Sequence, residues 1–142
     1  MSERVTRVSA YALCREADAL LLSRIAPGAT ESSDGMWTLP GGGLDFGEEP
    51  AVAALRELAE ETGLVGEITE LAGIDSWSGP IGAVDYHAIR IIYHVRITGG
   101  ELTDEADGSS DLARWVPLSE LAALPLVDLA LVGARLAGVP MQ

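Results

Sequence analysis

A proline and three glycines in a row, Pro40-Gly41-Gly42-Gly43, interrupt the chain between a short β-type run at residues 36–39 and a segment with the marks of a helix. Proline carries no backbone donor, and glycine lets the backbone bend tightly or come close to a ligand. After the break, Glu48 and Glu49 precede Pro50. Proline suits the first turn of a helix, and acids suit its positive N-terminal end. The spacing predicts a helix to about Thr62, ended by Gly63, with Leu64 making the apolar contact that accompanies such an end.

Around this centre most of the chain is β-type. Residues 5–14 and 19–25 read as strands joined by a hairpin turn at 15–18, and residues 27–35 as a loop whose small and polar residues suit a mobile segment. Residues 67–77 read as a strand that stops at a Gly79-Pro80 turn. Residues 86–98 form the longest strand candidate. His87, Ile89, Ile91, Tyr93, Val95 and Ile97 share one face, and Arg90, Ile92, His94 and Arg96 share the other. An acidic loop at 99–111, a short strand at 113–116, a brief helix from Pro117 and a last helix at 127–136 follow. Strands and helices mix without regular alternation, so the expected class is α/β, a sandwich around a mixed β-sheet. A length of 142 residues favours one domain, residues 1–142, large enough to bury a core without staples.

Composition removes several classes of function. Acids outnumber bases by 22 to 9, for a net charge of −13. A nucleic-acid polymer or an anionic membrane is therefore not the expected partner, because both need clustered positive charge. Every base is an arginine. Without lysine there is no phosphate-loop lysine, no Schiff base, no pyridoxal-phosphate attachment and no serine–lysine pair. The single cysteine, Cys14, forms no internal disulfide and no metal cluster, and it sits in an apolar stretch as a buried small hydrophobe would. The first residues lack the apolar run of a signal peptide, and no run approaches the roughly 20 residues of a membrane helix. A soluble cytoplasmic protein is the expectation. His87 and His94 lack metal-ligand spacing and read as structural.

The chemistry concentrates in residues 42–64. Gly42 is followed by five residues and Glu48, and seven residues later comes Arg56-Glu57-Leu58-Ala59-Glu60-Glu61-Thr62-Gly63-Leu64. With Glu57 at zero on a helical wheel, Glu60 falls about 60° to one side and Glu61 about 40° to the other. Ala51, Leu55, Leu58, Ala59 and Thr62 fall opposite, as an apolar face for a sheet. Three carboxylates on one stripe repel one another, and a divalent cation relieves that repulsion. Hard oxygen donors favour Mg²⁺ or Mn²⁺. A bare acidic run is usually a solvated helix face; here the glycines, the arginine and Glu48 accompany it in fixed register.

This pattern resembles the signature of the Nudix hydrolase family, G-x5-E-x7-R-E-U-x-E-E-x-G-U with U aliphatic, and all nine fixed positions match. The lead-in Trp37-Thr38-Leu39-Pro40-Gly41-Gly42 is also similar to the family's approach. The resemblance implies a Nudix-type α/β/α sandwich. It implies hydrolysis of a pyrophosphate bond in a nucleoside diphosphate linked to another group X, with Mg²⁺ or Mn²⁺ as cofactor and a small nucleotide as partner. X could be the rest of a nucleoside triphosphate, an ADP-ribose-like group, a dinucleotide or a sugar. In the family, residues matching Glu57, Glu60 and Glu61 and the carbonyl of Gly41 hold metal. Arg56 orients the carboxylates, with Glu48 as its partner or as an outer anchor. Glu57 is the first candidate for general base, although some members take the base from a later loop. Glu105 and Asp111 are candidates for such a further carboxylate.

Outside the motif, Arg24 ends a strand where a family arginine often meets phosphate, Arg90 lies on the polar face of the long strand, and Trp77 is the candidate for stacking a base. Each has an ordinary alternative as a surface ion pair or a core residue. A homodimer is compatible with the family, but no sequence feature shows one. The rival class is a catalytically silent nucleotide-binding sensor, against which the intact carboxylates argue.

Overall fold

The computed structural model describes residues 3–28 and 33–141. Residues 29–32, the middle of the expected 27–35 loop, lie outside the described residues. In chain order the elements are β1 (Glu3–Leu13), β2 (Arg15–Glu16), β3 (Ala19–Ile25), β4 (Trp37–Thr38), β5 (Gly41–Gly43), α1 (Pro50–Thr62), β6 (Leu64–Ile81), β7 (Val84–Gly100), β8 (Ser110–Pro117), a 3₁₀ helix (Leu118–Ala123) and α2 (Asp128–Leu136).

The strands make two sheets. The first runs β5-β1-β7-β6, with β1 and β7 parallel and the other pairs antiparallel. In the second, β3 pairs antiparallel with β2, β4 and β8. Alternation along β3 shows how the layers stack. Leu20 and Leu22 enter a core with Leu39, Ile92, Leu129 and Ala134 on the α2 side. Leu21 between them joins Ala12, Leu58 and Val95 on the α1 side. Helices thus cover opposite faces of the strands, and the architecture is an α/β/α sandwich around a mixed sheet, as expected. Cys14 is fully buried with Leu21 and Leu58, and burial pushes its thiol up to about 12. Among the described residues no helix is long and apolar enough to cross a membrane.

Several boundaries differ from the sequence expectation. Residues 41–43 do more than break a strand. The carbonyl of Pro40 accepts the Ala12 N–H at 2.9 Å, and Gly41, Gly42 and Gly43 then pair with Tyr11, Ala10 and Ser9. The proline–glycine run therefore carries the chain from the second sheet into the first. The Gly79-Pro80 turn is not there: β6 continues to Ile81 and turns at residues 82–83. Strand β6 lies at a sheet edge, where a proline without an N–H is tolerated. The loop before β8 is shorter than 99–111, because Gly99 and Gly100 belong to β7 and Ser110 and Asp111 to β8. On β7, Ile92 is fully buried although it shares a face with three polar residues, because α2 covers that side too.

Candidate active site

The acidic helix departs from the wheel at two positions, Glu61 and Ala59. The buried residues of α1 are Ala53, Ala54, Leu58, Glu61 and Thr62, whereas Ala59 is exposed. That arc includes Glu61, about 40° around the helix from Glu57. Leu58 and Thr62 of the expected apolar face are buried and Leu55 packs beside them; the departures are Ala59, which is exposed, and Glu61, which turns inward while Glu60 stays open. The glycine strand accommodates Glu57. A Cβ at Gly42 would lie 3.0 Å from the carboxyl carbon of Glu57, so Glu57 occupies space that any other residue would fill.

Glu61 is 3% exposed. One of its oxygens accepts the Gly41 N–H at 3.0 Å, and the other accepts the Ser23 hydroxyl at 3.2 Å. Burial raises its carboxyl well above the ordinary range, and the neighbouring Glu57 carboxylate adds to that rise. Arg56 organises the outer half of the site. Its Nε and Nη2 donate to the two oxygens of Glu48 at 2.7 and 2.9 Å, a fork-to-fork pair. Nη2 also reaches the Gly43 carbonyl at 3.3 Å. The remaining nitrogen, Nη1, donates to Glu57 at 3.0 Å and to both oxygens of Glu60 at 3.3 Å. Glu48 accepts the Asp45 N–H as well. Hydrogen bonds from Arg56 and that N–H hold its carboxyl down at about 2. Glu60 is the most open of the three helix acids, with its side chain 51% exposed, against 16% for Glu57. Among the described residues no group of three His, Cys, Asp or Glu side chains converges enough to enclose a metal ion; Glu57 and Glu60 both turn onto Arg56.

The other candidates are held elsewhere in the fold. Arg24 makes a two-pronged pair with Asp111 at 2.9 and 2.7 Å, so these two side chains satisfy each other across β3 and β8. Glu105 accepts the Ser110 N–H and hydroxyl, closing its own loop. The loop still approaches the site, because Thr103, Asp104, Glu105 and Ala106 line a cavity with Ala59, Glu60 and Gly63. Arg90 pairs with Asp75 on β6 and with Asp128 at the start of α2. The Trp77 ring lies over Gly79 of its own strand and is 37% exposed. Ser23 was not singled out from sequence. The signal was a lone hydroxyl at the end of a leucine run, which gives no hint of a partner 38 residues away.

These positions can be set against known proteins. The family model described as NUDIX domain matches residues 3–132. The chain belongs to the Nudix family. Relatives include MutT4 of Mycobacterium tuberculosis, 39% identical over 87 residues, which are 61% of this chain and 34% of that one. The ADP-ribose pyrophosphatase of Methanocaldococcus jannaschii is 34% identical over 90 residues, 63% of this chain and 51% of that one. The matches thus span only about a third to a half of these curated relatives. A Nudix hydrolase structure from Nitrosomonas europaea superposes with a TM-score of 0.78 at 23% identity, covering 95% of this chain and 91% of that one, which shows the shared Nudix fold.

The raised carboxyl of Glu61 has a measurable consequence in divalent-free buffer. The folded Nudix domain holds this proton more tightly than the unfolded chain does. Its contribution to stability is complete below the unfolded value of 4.5 and declines as pH rises above it. Glu48 acts in the opposite sense: its contribution is present above 4.5 and is lost as pH falls toward about 2. Glu61→Gln removes the first effect and leaves the second. The expected result is that the Tm of the variant gains on that of the wild type as pH is raised from 4.5 to 8. A constant difference in Tm across that range would refute the assignment.

Proposed function

We propose that this Nudix domain hydrolyses a pyrophosphate bond in a small nucleotide, a nucleoside diphosphate linked to a further group X. One observation carries the reading. Arg56, anchored at one end by both oxygens of Glu48, sets its other end against Glu57 and Glu60, beside the glycine strand that also holds Glu61. A solvated acidic face needs no such bracket.

The donor chemistry fits Mg²⁺ or Mn²⁺. The oxygens of Glu57, Glu60 and Glu61 and the Gly41 carbonyl are hard donors, and the missing Cβ at Gly42 lets the Glu57 carboxylate lie against the glycine strand. These four residues would hold the cation, which when bound draws charge from phosphate oxygens and from the attacking water. The chain's own residues supply the rest. Arg56 keeps Glu57 and Glu60 in place while its own charge offsets their repulsion. Glu57, fixed at the mouth of the glycine strand, takes the proton of the attacking water. Arg24, paired with Asp111 at the end of β3, would have to exchange that carboxylate for substrate phosphate to take part. The names of the relatives, an ADP-ribose pyrophosphatase and a MutT-type protein, support the reaction class and leave X open.

The test is phosphate or pyrophosphate release over a panel of nucleoside triphosphates, ADP-ribose, dinucleotide polyphosphates and nucleotide sugars, each with Mg²⁺ and with Mn²⁺. Wild type runs beside Glu60→Gln. A cation-dependent signal that falls at least about a hundredfold in the variant is the expected outcome. Tight binding of one nucleotide with no turnover of any would overturn the reading in favour of a sensor.

A further inference from the structure

Strand β3 contains Leu20, Leu21, Leu22 and Ser23, all fully buried. A hydroxyl in that setting is costly unless it is bonded. Its bond is to Glu61 on α1, and the other Glu61 oxygen is bonded by Gly41 on β5. Serine and glycine come from different sheets, since β3 belongs to the second and β5 to the first. Each carboxylate oxygen therefore receives one hydrogen bond from a separate scaffold, the Glu57 carboxyl lies beside them, and further lone pairs remain for a cation shared with Glu57. One bond would leave the carboxylate free to rotate about its terminal torsion, which has broad minima. Two bonds on two oxygens fix its plane.

We infer that Ser23 is a positioning residue: its hydroxyl, with the Gly41 N–H, sets the plane in which Glu61 presents its free lone pairs to a divalent cation. The inference rests on the functional reading above and adds a residue that lies outside the sequence motif. Ser23 touches neither nucleotide nor water in this scheme; it acts through Glu61.

The experiment is a Mn²⁺ titration followed by electron paramagnetic resonance on wild type, Ser23→Ala and Ser23→Thr, with thermal melts of each. Ser23→Ala is expected to weaken Mn²⁺ binding about tenfold, the lower end of what loss of a ligand's supporting bond costs. Ser23→Thr keeps the hydroxyl and is expected to bind Mn²⁺ within about threefold of wild type, well short of that loss. With the substrate found above, Ser23→Ala should lower kcat and leave KM for the nucleotide unchanged. Wild-type affinity in Ser23→Ala overturns the inference. So does equal loss in both variants, which would trace the effect to packing at position 23. If the wild type itself fails to bind Mn²⁺, the cation-dependent reading falls first and the role of Ser23 falls with it. The two failures are thus distinguishable.

Discussion

Glu57→Gln is expected to lower kcat about a thousandfold, in the middle of the range for loss of a general base, with KM little changed. The substitution is nearly isosteric. It keeps the contact with the Gly42 backbone, where the carboxyl carbon lies 3.0 Å from the position of a Cβ. It also leaves Arg56 anchored, because Glu48 still takes two of the guanidinium bonds and the Gly43 carbonyl another. The melting temperature should therefore hold while turnover collapses. Steady-state kinetics and a thermal melt on one preparation check both halves. A kcat within about tenfold of wild type would move the base to another group. The acidic loop is then the place to look, although Glu105 is bonded to Ser110, Asp104 to Ala113 and Arg114, and Asp111 to Arg24.

Gly41→Ala is expected to damage the fold and the site together. Gly41 has φ +154°, which side chains rarely adopt. An added Cβ would lie 2.3 Å from Cδ1 of Tyr11 and 2.4 Å from the Ala10 carbonyl. Tyr11 is packed against the main core and has little freedom to retreat. Overpacking and backbone strain together predict a loss of about 3 kcal/mol or more, a fall in Tm on the order of 10 °C. Loss of the β5–β1 pairing would also release the N–H that holds Glu61. Gly43→Ala is the internal control. Nothing lies within 4 Å of a Cβ there, so its Tm should stay within about 2 °C of wild type, as for an ordinary surface change. Equal effects at the two glycines would show that the close approach at Gly41 is not what the strand depends on.

The centre of the molecule was legible because its constraints are local. Proline at the helix start and glycine at its end bound α1 as expected, and Gly63 ends it in a left-handed conformation with its N–H on the Ala59 carbonyl. The spacing of Glu48 and Arg56 anticipated their pairing, because both lie within one loop–helix unit. What could not be read depends on contacts between distant segments. The burial of Glu61 follows from its bonds to Gly41 and Ser23 on distant strands, and a helical wheel carries no knowledge of its neighbours. Arg24 and Asp111 looked like separate candidates, one for phosphate and one for a further carboxylate; only the β3–β8 register brings them together. Ser23 was overlooked for the same reason. The Gly79-Pro80 pair misled because turn composition is tolerated along an edge strand.

The passage of the chain between sheets at Pro40 and Gly41 has a dynamic corollary. Local opening normally lets a site loosen while its scaffold stays intact. Here the amide that grips Glu61 sits in the link that joins the two sheets, next to the Ala12–Pro40 bond. A fluctuation that parts the sheets at this link therefore also releases the grip on that carboxylate. The segment before β8 is held by carboxylate bonds and by the Thr103 N–H on the Thr62 carbonyl rather than by strand pairing, so it can loosen without parting the sheets. Rigidity and give are thus divided between two segments of the fold.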